Sequence, residues 1–377
     1  MKWNTINQRI QETFTFLHGN AEISWKEHNT TKYVANILKE SGCRVTTFDD
    51  CTGVIGEFGH FTKGLPIVAI RADMDALWQE VNGVFQANHS CGHDAHMAMV
   101  LGLLWALKEN PELHDQIAVK FIFQPAEEKS AGALKMVEKG GIDNVDYLFG
   151  IHLRPAQETQ MGYATPVIVH GATRKYRATI KGHDAHGARP HLNHNAIEIG
   201  AQLVDMMNNI HLDPRIPHTV KMTSFHAGGE SINIIPGSAT FSVDMRAQSN
   251  ELINQLEKKV QGIFTAISDL YDISISVDEV SGVVAAKTNK EAIGIMKQAI
   301  GHSLGAGKIA PPLVTPGGDD FHYYTIKKPA LKATMVGLGC NLKPGLHHPA
   351  MTFNKTALLN GVKILYHAIL QTYGIKK

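Results

Sequence analysis

Residues 65–75 read LPIVAIRADMD, and this stretch decides the fold. Its first eight residues are an almost wholly apolar run, the pattern of a central strand covered on both faces. Asp73 and Asp75 follow at once. The arrangement recurs downstream. IAVKFIFQ at 117–124 is a second apolar run, followed by Pro125 and the acidic pair Glu127–Glu128, and YLFGIH at 147–152 is a third, ending in His152. Helical spacing fills the gaps at 93–107 and at 131–139, where Gly140–Gly141 stops it. Strands alternating with helices predict an α/β domain with a largely parallel or mixed sheet. In open α/β folds catalytic groups gather outside the carboxyl ends of the strands. Successive strand ends that all carry ligand-type side chains therefore mark a functional edge.

Working outward, residues 6–16 and 31–39 have helical spacing, with Asn29 or Thr30 as the expected cap of the second helix, and residues 43–48 read as a strand. The pattern changes after Pro166. TRKYRATIK at 173–181 alternates polar and apolar, as in a sheet with one wet face. Residues 196–210 and 250–266 are striped helices, and 219–227, 239–248 and 273–280 are strands. Strand, helix, strand, strand, helix, strand is the order of a ferredoxin-like α+β unit. This smaller domain is expected at 171–286, inserted into a larger one formed by 1–170 and 287–377. The helix from Asn289, a strand at 331–337 and a terminal helix at 356–373 rejoin the larger domain.

The chain has 377 residues, 44% of them hydrophobic, which is enough for two cores. A formal net charge of +1 gives no field to favour nucleic acid or an anionic membrane. No run reaches the length of a membrane span, and 97–107 reads as a buried helix instead. The first residues carry no secretory pattern. Four widely spaced cysteines, Cys43, Cys51, Cys91 and Cys340, suit a reducing compartment rather than a disulfide scaffold. A cytoplasmic location is the expectation.

The densest chemistry is NHSCGHDAH at 88–96, with Cys91, His93 and His96 at the start of an apolar helix. Each candidate has a plain structural reading by itself. Cys91 could be an inert buried thiol, and the Glu127–Glu128 pair could be charge at a helix N-terminus. Taken together they point to a metal centre. Thiolate and imidazole suit zinc, and the set also admits manganese, cobalt or nickel. Adjacent glutamates can divide the work, one binding metal and the other moving the proton of the attacking water.

The chain resembles the metal-dependent amidohydrolase and aminoacylase–carboxypeptidase-like metallopeptidase family, which includes hippurate hydrolases, indole-acetyl-amino-acid hydrolases, N-acetyl-diaminopimelate deacetylases and aminobenzoyl-glutamate hydrolases. The resemblance runs nearly end to end. It rests on IRADMDAL from Ile70, NHSCGHDAHMAM from Asn88, FIFQPAEE from Phe121, GIH from Gly150, KGHDAHGARPH from Lys181, SINIIPGSA from Ser231, VDMRAQ from Val243, GGDDF from Gly317 and GLHHP from Gly345. It implies a mixed-sheet catalytic domain of zinc-peptidase type with an inserted ferredoxin-like lid. It also implies two divalent ions held by Cys91, His93, Glu128, His152 and His347, with Cys91 between them. Glu127 would be general base and acid. Asp73, Asp75 and His96 would orient the ligands. In the lid, which forms a homodimer contact in many relatives, His186 would polarise the scissile carbonyl, and Asn233, Arg246 and His226 would meet substrate. The implied reaction is hydrolysis of the amide of an N-acyl amino acid, a small-molecule substrate. A dipeptidase or aminobenzoyl-glutamate-type hydrolase on the same centre is the alternative. Two departures stand out: Asp319 replaces the family's usual glutamate, and Trp78–Gln79 follows IRADMDAL where small or proline-containing sequences are common.

Overall fold

In the computed structural model, which describes residues 2–61 and 64–375, the run at 65–72 becomes the strand Val68–Asp73, buried throughout. Parallel strands flank it, Ala118–Gln124 on one side and Tyr147–Pro155 on the other. The register sets Asp73 opposite Gln124 and Arg71 opposite Gly150, so the three carboxyl ends share one edge. The full sheet has seven strands, in the order Arg44–Thr47, Val54–Gly59, Ala118–Gln124, Val68–Asp73, Tyr147–Pro155, Lys332–Leu342, Ala164–Thr165. Lys332–Leu342 is parallel to Tyr147–Pro155. The outer junctions are antiparallel, which makes the sheet mixed.

The helix His93–Lys108 is apolar all round from Met97 to Leu107, and every residue up to Leu107 is buried. It packs against the first helix, Trp3–Gly19, and the last, Ala357–Thr372. Gly92 precedes it with φ of +86°, and a Cβ there would lie 3.0 Å from Leu153 Cδ1. Glycine thus permits the sharp turn that sets Cys91 and His93 side by side.

The second helix departs from expectation. It spans His28–Glu40, so Asn29 and Thr30 lie in its first turn and cap nothing. Their backbone N–H groups instead donate to the Glu22 carboxylate, at 3.2 and 2.8 Å. Other elements were not expected from periodicity, among them Val54–Gly59 and a hairpin of Leu77–Val81 and Val84–Asn88, turned by Asn82 and Gly83 at φ of +52° and +84°.

The chain divides into two compact units: Met1–Val169 with Lys287–Val314 and Asp320–Lys377, and His170–Ala286 with Thr315–Asp319. The second unit has its own core. Its four-stranded sheet runs His218–Ala227, Ala239–Ala247, Ala172–Lys181, Ser274–Ser281, with every neighbouring pair antiparallel. Ala239–Ala247 alternates buried and less buried residues, and the helices Ala196–Asn208 and Asn250–Tyr271 pack on the buried face. Asn195 and Ser249 cap those helices by accepting from Ile197 and Leu252 N–H. No helix among the described residues is long and apolar enough to cross a membrane.

Candidate metal centre

Asp73, Asp75, Cys91, His93, His96, Glu127, Glu128 and His152 converge at the carboxyl edge of the large sheet, and His347 joins them from a loop after its penultimate-in-order strand, Lys332–Leu342. His93 Nδ1–H donates to the Asp75 carbonyl at 2.8 Å, which leaves Nε2 to face the site. His152 Nδ1–H donates to the Leu153 carbonyl at 2.7 Å, and its Nε2 lies 3.7 Å from Cys91 Sγ. Both imidazoles are therefore held in the tautomer a metal ligand needs. His96 is committed differently. Its Nε2 accepts from Leu153 N–H at 3.0 Å, and its Nδ1–H donates to Asp73 at 2.7 Å. With both nitrogens engaged, His96 braces the site.

The glutamate pair occupies a tight turn, Glu127–Lys129, entered through Ala126 at φ of +51°. The Asp75 carboxylate accepts from Glu127 N–H at 3.1 Å and from Glu128 N–H at 3.0 Å. Glu27, fully buried, accepts from Ala126 N–H at 2.9 Å and from the Thr52 hydroxyl at 2.5 Å. Two carboxylates thus pin the turn from either side. Glu128 Oε1 lies 4.0 Å from His93 Nε2 and 3.4 Å from His347 Nε2.

Ligand atoms within 4.8 Å of one another form the groups Cys91–His93–His152, Cys91–Glu128–His347 and His93–Glu127–Glu128. The Cys91 thiol belongs to the first two. His93 Nε2 and Glu128 Oε1 are buried and have no hydrogen-bond partner. Orphaned polar atoms of this kind are costly unless something else satisfies them. A soft thiol, imidazoles and a carboxylate around shared space fit a dinuclear divalent metal centre. His348, by contrast, serves its own turn, its Nδ1 accepting from Ala350 N–H at 3.1 Å.

The electrostatics match this arrangement. Burial pushes the Cys91 thiol far up, and Glu128 adds to it, so the protein alone does not make a thiolate. A coordinating cation would. Burial pulls His93 down, but Asp73, Cys91 and Asp75 outweigh it and hold the imidazole well above its ordinary value. Burial, with His96 and Arg154, holds His152 well below. Burial pushes Glu128 up to about 7, His93 opposing and Asp75 and Asp73 reinforcing. The raised values of Cys91, His93 and Glu128 are those expected of a cluster short of positive charge, whereas the lowered His152 stays neutral and free to bind.

Sequence reasoning passed over the residues that hold Asp73. Arg71 is 1% exposed and donates to Asp73 at 2.6 Å, to Asp320 at 2.9 Å and to Gln124 at 2.9 Å. Gln124 in turn donates to Asp320 at 2.8 Å. An arginine inside an otherwise apolar strand was the available signal.

Residues 69–371 match the model of peptidase family M20/M25/M40. The chain belongs to that family. Among similar proteins, the N-acetyl-L-cysteine deacetylase of Bacillus subtilis (strain 168) is 29% identical over 377 residues, 97% of this chain and 88% of its own. IAA-amino acid hydrolase ILR1-like 4 of Arabidopsis thaliana is also 29% identical over 377 residues, 94% of this chain and 83% of its own. A Bacillus subtilis protein solved as a dinuclear metal binding peptidase of family M20 superposes with a TM-score of 0.80 at 25% identity, covering 98% of this chain and 99% of its own.

The remaining candidates lie in the second unit. His186 and Asn233 are brought together: Ala185–His186 pairs with Ile234–Ile235, and Gly187 N–H donates to the Asn233 carbonyl at 2.7 Å. Arg246 sits on the more exposed face of its strand, its Nε donating to Asp244 at 2.8 Å. His226 pairs with Thr240, whereas Arg246 pairs with Thr219, so these two stand at opposite ends of neighbouring strands, about 20 Å apart. Asp319 is buried.

Proposed function

We propose that the chain hydrolyses the amide bond of N-acyl amino acids, releasing a carboxylic acid and an amino acid. The observation that carries this reading is the placement of Glu127 beside Glu128 and His93, in a turn whose backbone Asp75 fixes. A pair of divalent ions, when bound, supplies Lewis acidity toward water and the acyl carbonyl. Cys91, His93, Glu128, His152 and His347 would hold them, with Cys91 shared. Asp73, Asp75 and His96 keep those ligands in register. Glu127 takes a proton from the attacking water and returns it to the departing nitrogen.

The second unit, with four antiparallel strands and two helices on one face, is proposed as a ferredoxin-like lid, a reading its alternation of strands and helices supports. Its His186 steadies the charge that develops on the carbonyl oxygen, with Asn233 beside it. Arg246 takes the substrate's free carboxylate in place of Asp244; His226, about 20 Å along the sheet from Arg246, does not reach the same small substrate and drops out of this contact set. This unit, as 171–286, also supplies a homodimer contact, which light scattering of the intact chain would detect. A reducing, cytoplasmic setting suits a site that depends on a thiol.

The test pairs Glu127→Gln with a substrate panel. The carboxamide keeps the carboxylate's size, so the variant should bind metal as the parent does and lose turnover by about 10²–10⁴-fold. Near-parental turnover at full metal content would refute the role. Acetyl-, benzoyl- and indole-acetyl-amino acids, run beside aminobenzoyl-glutamate and unblocked dipeptides, separate the proposed activity from the dipeptidase alternative.

A further inference from the structure

The hairpin Leu77–Val81/Val84–Asn88 stands next to two of the ligand loops, and only one of its faces is in contact with them. Trp78 and Phe85 on its outer side are each 59% exposed. Gln79 points the other way. Its Nε2 donates to the His347 carbonyl at 2.8 Å, across 268 residues of sequence. Its Oε1 accepts from the Ser90 hydroxyl at 2.7 Å and from Asn88 Nδ2 at 3.1 Å. These partners fix which end of the amide is which, because a carbonyl can only accept.

His347 needs such support. Its loop is closed at the base by the mutual bonds of Lys343 and Thr352, 2.9 and 2.8 Å. At the tip, His347 has φ of +65°, in the left-handed region that a β-carbon disfavours. Its side chain is 53% exposed, so close packing does not hold it. Two backbone bonds do. Its N–H donates to the Ser90 carbonyl at 2.8 Å, and its own carbonyl takes the Gln79 amide. Asn88 Nδ2 also donates to the Pro349 carbonyl at 3.1 Å, tying the same two loops a second time.

We infer that Gln79 is a positioning residue: it clamps the Cys91 loop to the His347 loop and so sets the ion position shared by Cys91, Glu128 and His347, without touching an ion. The inference rests on the metal centre of the proposed function. It concerns one ion position of the two. His93 and His152, which complete the other position with the shared Cys91, are held by the central helix, the Asp75 carbonyl and the sheet, none of which involves Gln79.

The experiment is a titration of metal-free protein with Mn²⁺, followed by calorimetry and by EPR of the free ion. Gln79→Leu removes every bond of the side chain. Gln79→Glu keeps an acceptor for Ser90 and Asn88 but has no N–H for the His347 carbonyl. In both variants one binding step should weaken by about 10–100-fold, the usual effect of removing a group that orients a ligand, while the other stays within about twofold. The melting curve of the metal-free protein should not move, which a general loss of structure would not allow. Adding back a donor through Gln79→Lys is expected to restore part of the weakened step. Two unchanged steps, or two steps weakened alike, overturn the assignment. These readouts do not depend on turnover. A chain that binds two ions with this pattern yet cleaves no N-acyl amino acid leaves the Gln79 role standing and removes the proposed reaction. A chain that binds no ion removes both.

Discussion

Replacing Arg71 by methionine is the sharpest test of how the metal edge is supported. The guanidinium is 1% exposed and lies between two carboxylates that are themselves fully buried, Asp73 and Asp320. Methionine retains most of the stem's packing and removes the charge together with the bonds to Asp73, Asp320 and Gln124. Breaking a buried pair by deleting one partner costs about 3–5 kcal/mol, because the other charge stays behind unpaired. Here two carboxylates lose a partner, but His96 still donates to Asp73 and Gln124 still donates to Asp320, so the loss should stay within that range. The four tryptophans, Trp3, Trp25, Trp78 and Trp105, all fall in the first unit, so urea unfolding of metal-free protein followed by tryptophan fluorescence reports on that unit. Adding Asp320→Asn to Arg71→Met should cost less than the sum of the two single changes, by about 0.5–3 kcal/mol. The acid limb gives an independent sign. Burial alone would raise Asp73, but His93, Arg71 and His96 hold its carboxyl well below the ordinary range. Its stabilising contribution is present above the unfolded value and is lost as pH falls through the folded one. Arg71→Met should therefore flatten the loss of stability below about pH 4. A loss under about 1 kcal/mol, with strict additivity and an unchanged acid limb, would refute the buried-network argument.

Two further outcomes follow from the site's geometry. Glu128, pushed up to about 7 by burial and by Asp75 and Asp73, must lose its proton to bind an ion, so Mn²⁺ affinity should fall as pH drops below about 7 and Glu128→Gln should remove that part of the slope. In metal-free protein the sign reverses: the folded chain holds the extra proton between the ordinary 4.5 and about 7, so this group's contribution is full below that window and is lost as pH rises through it, as melting at pH values on either side would show. Gly132→Ala would place a Cβ 1.6 Å from the Pro125 carbonyl oxygen, where only backbone can yield. The displaced turn carries Glu127, so turnover should drop about 100-fold, with kcat measured beside the melting temperature to separate this from unfolding.

What could be read from the sequence was whatever has a local period or a local cluster. The run at 65–72 is apolar because both faces of Val68–Asp73 are covered, and the helix at 93–107 is apolar because it lies inside the larger unit. The mixed α/β character followed from such runs. Val54–Gly59 escaped because Gly56 and Gly59 lower its strand character; a Cβ at Gly56 would meet Leu38 at 2.9 Å, so the gap serves packing. The hairpin escaped although Asn82–Gly83 is a strong turn signal, because its exposed Trp78, Val84 and Phe85 break the usual alternation. At the site, the cysteine–histidine cluster was visible because it is contiguous. The supports were not. Arg71 reaches Asp320 across 249 residues, Glu27 reaches Ala126 across 99, and only the sheet order brings them together. The exchange of Asn29 and Thr30 for a carboxylate at Glu22 is the same lesson at short range: a cap need not be the neighbouring residue.

The place of Lys332–Leu342 in the large sheet has a consequence for biosynthesis. This late segment is inserted between Tyr147–Pro155 and Ala164–Thr165, which leave the ribosome far earlier. At about 5–20 residues per second, the slot stays open for roughly 10–35 seconds while the intervening chain is made. Until it is filled, the Tyr147–Pro155 edge presents unpaired amides and carbonyls. The contiguous stretch His170–Ala286 can collapse in that interval, but the Tyr147–Pro155 edge waits for the C-terminal strand. Nascent chains stalled before that point should be the ones that recruit chaperones or pair with each other.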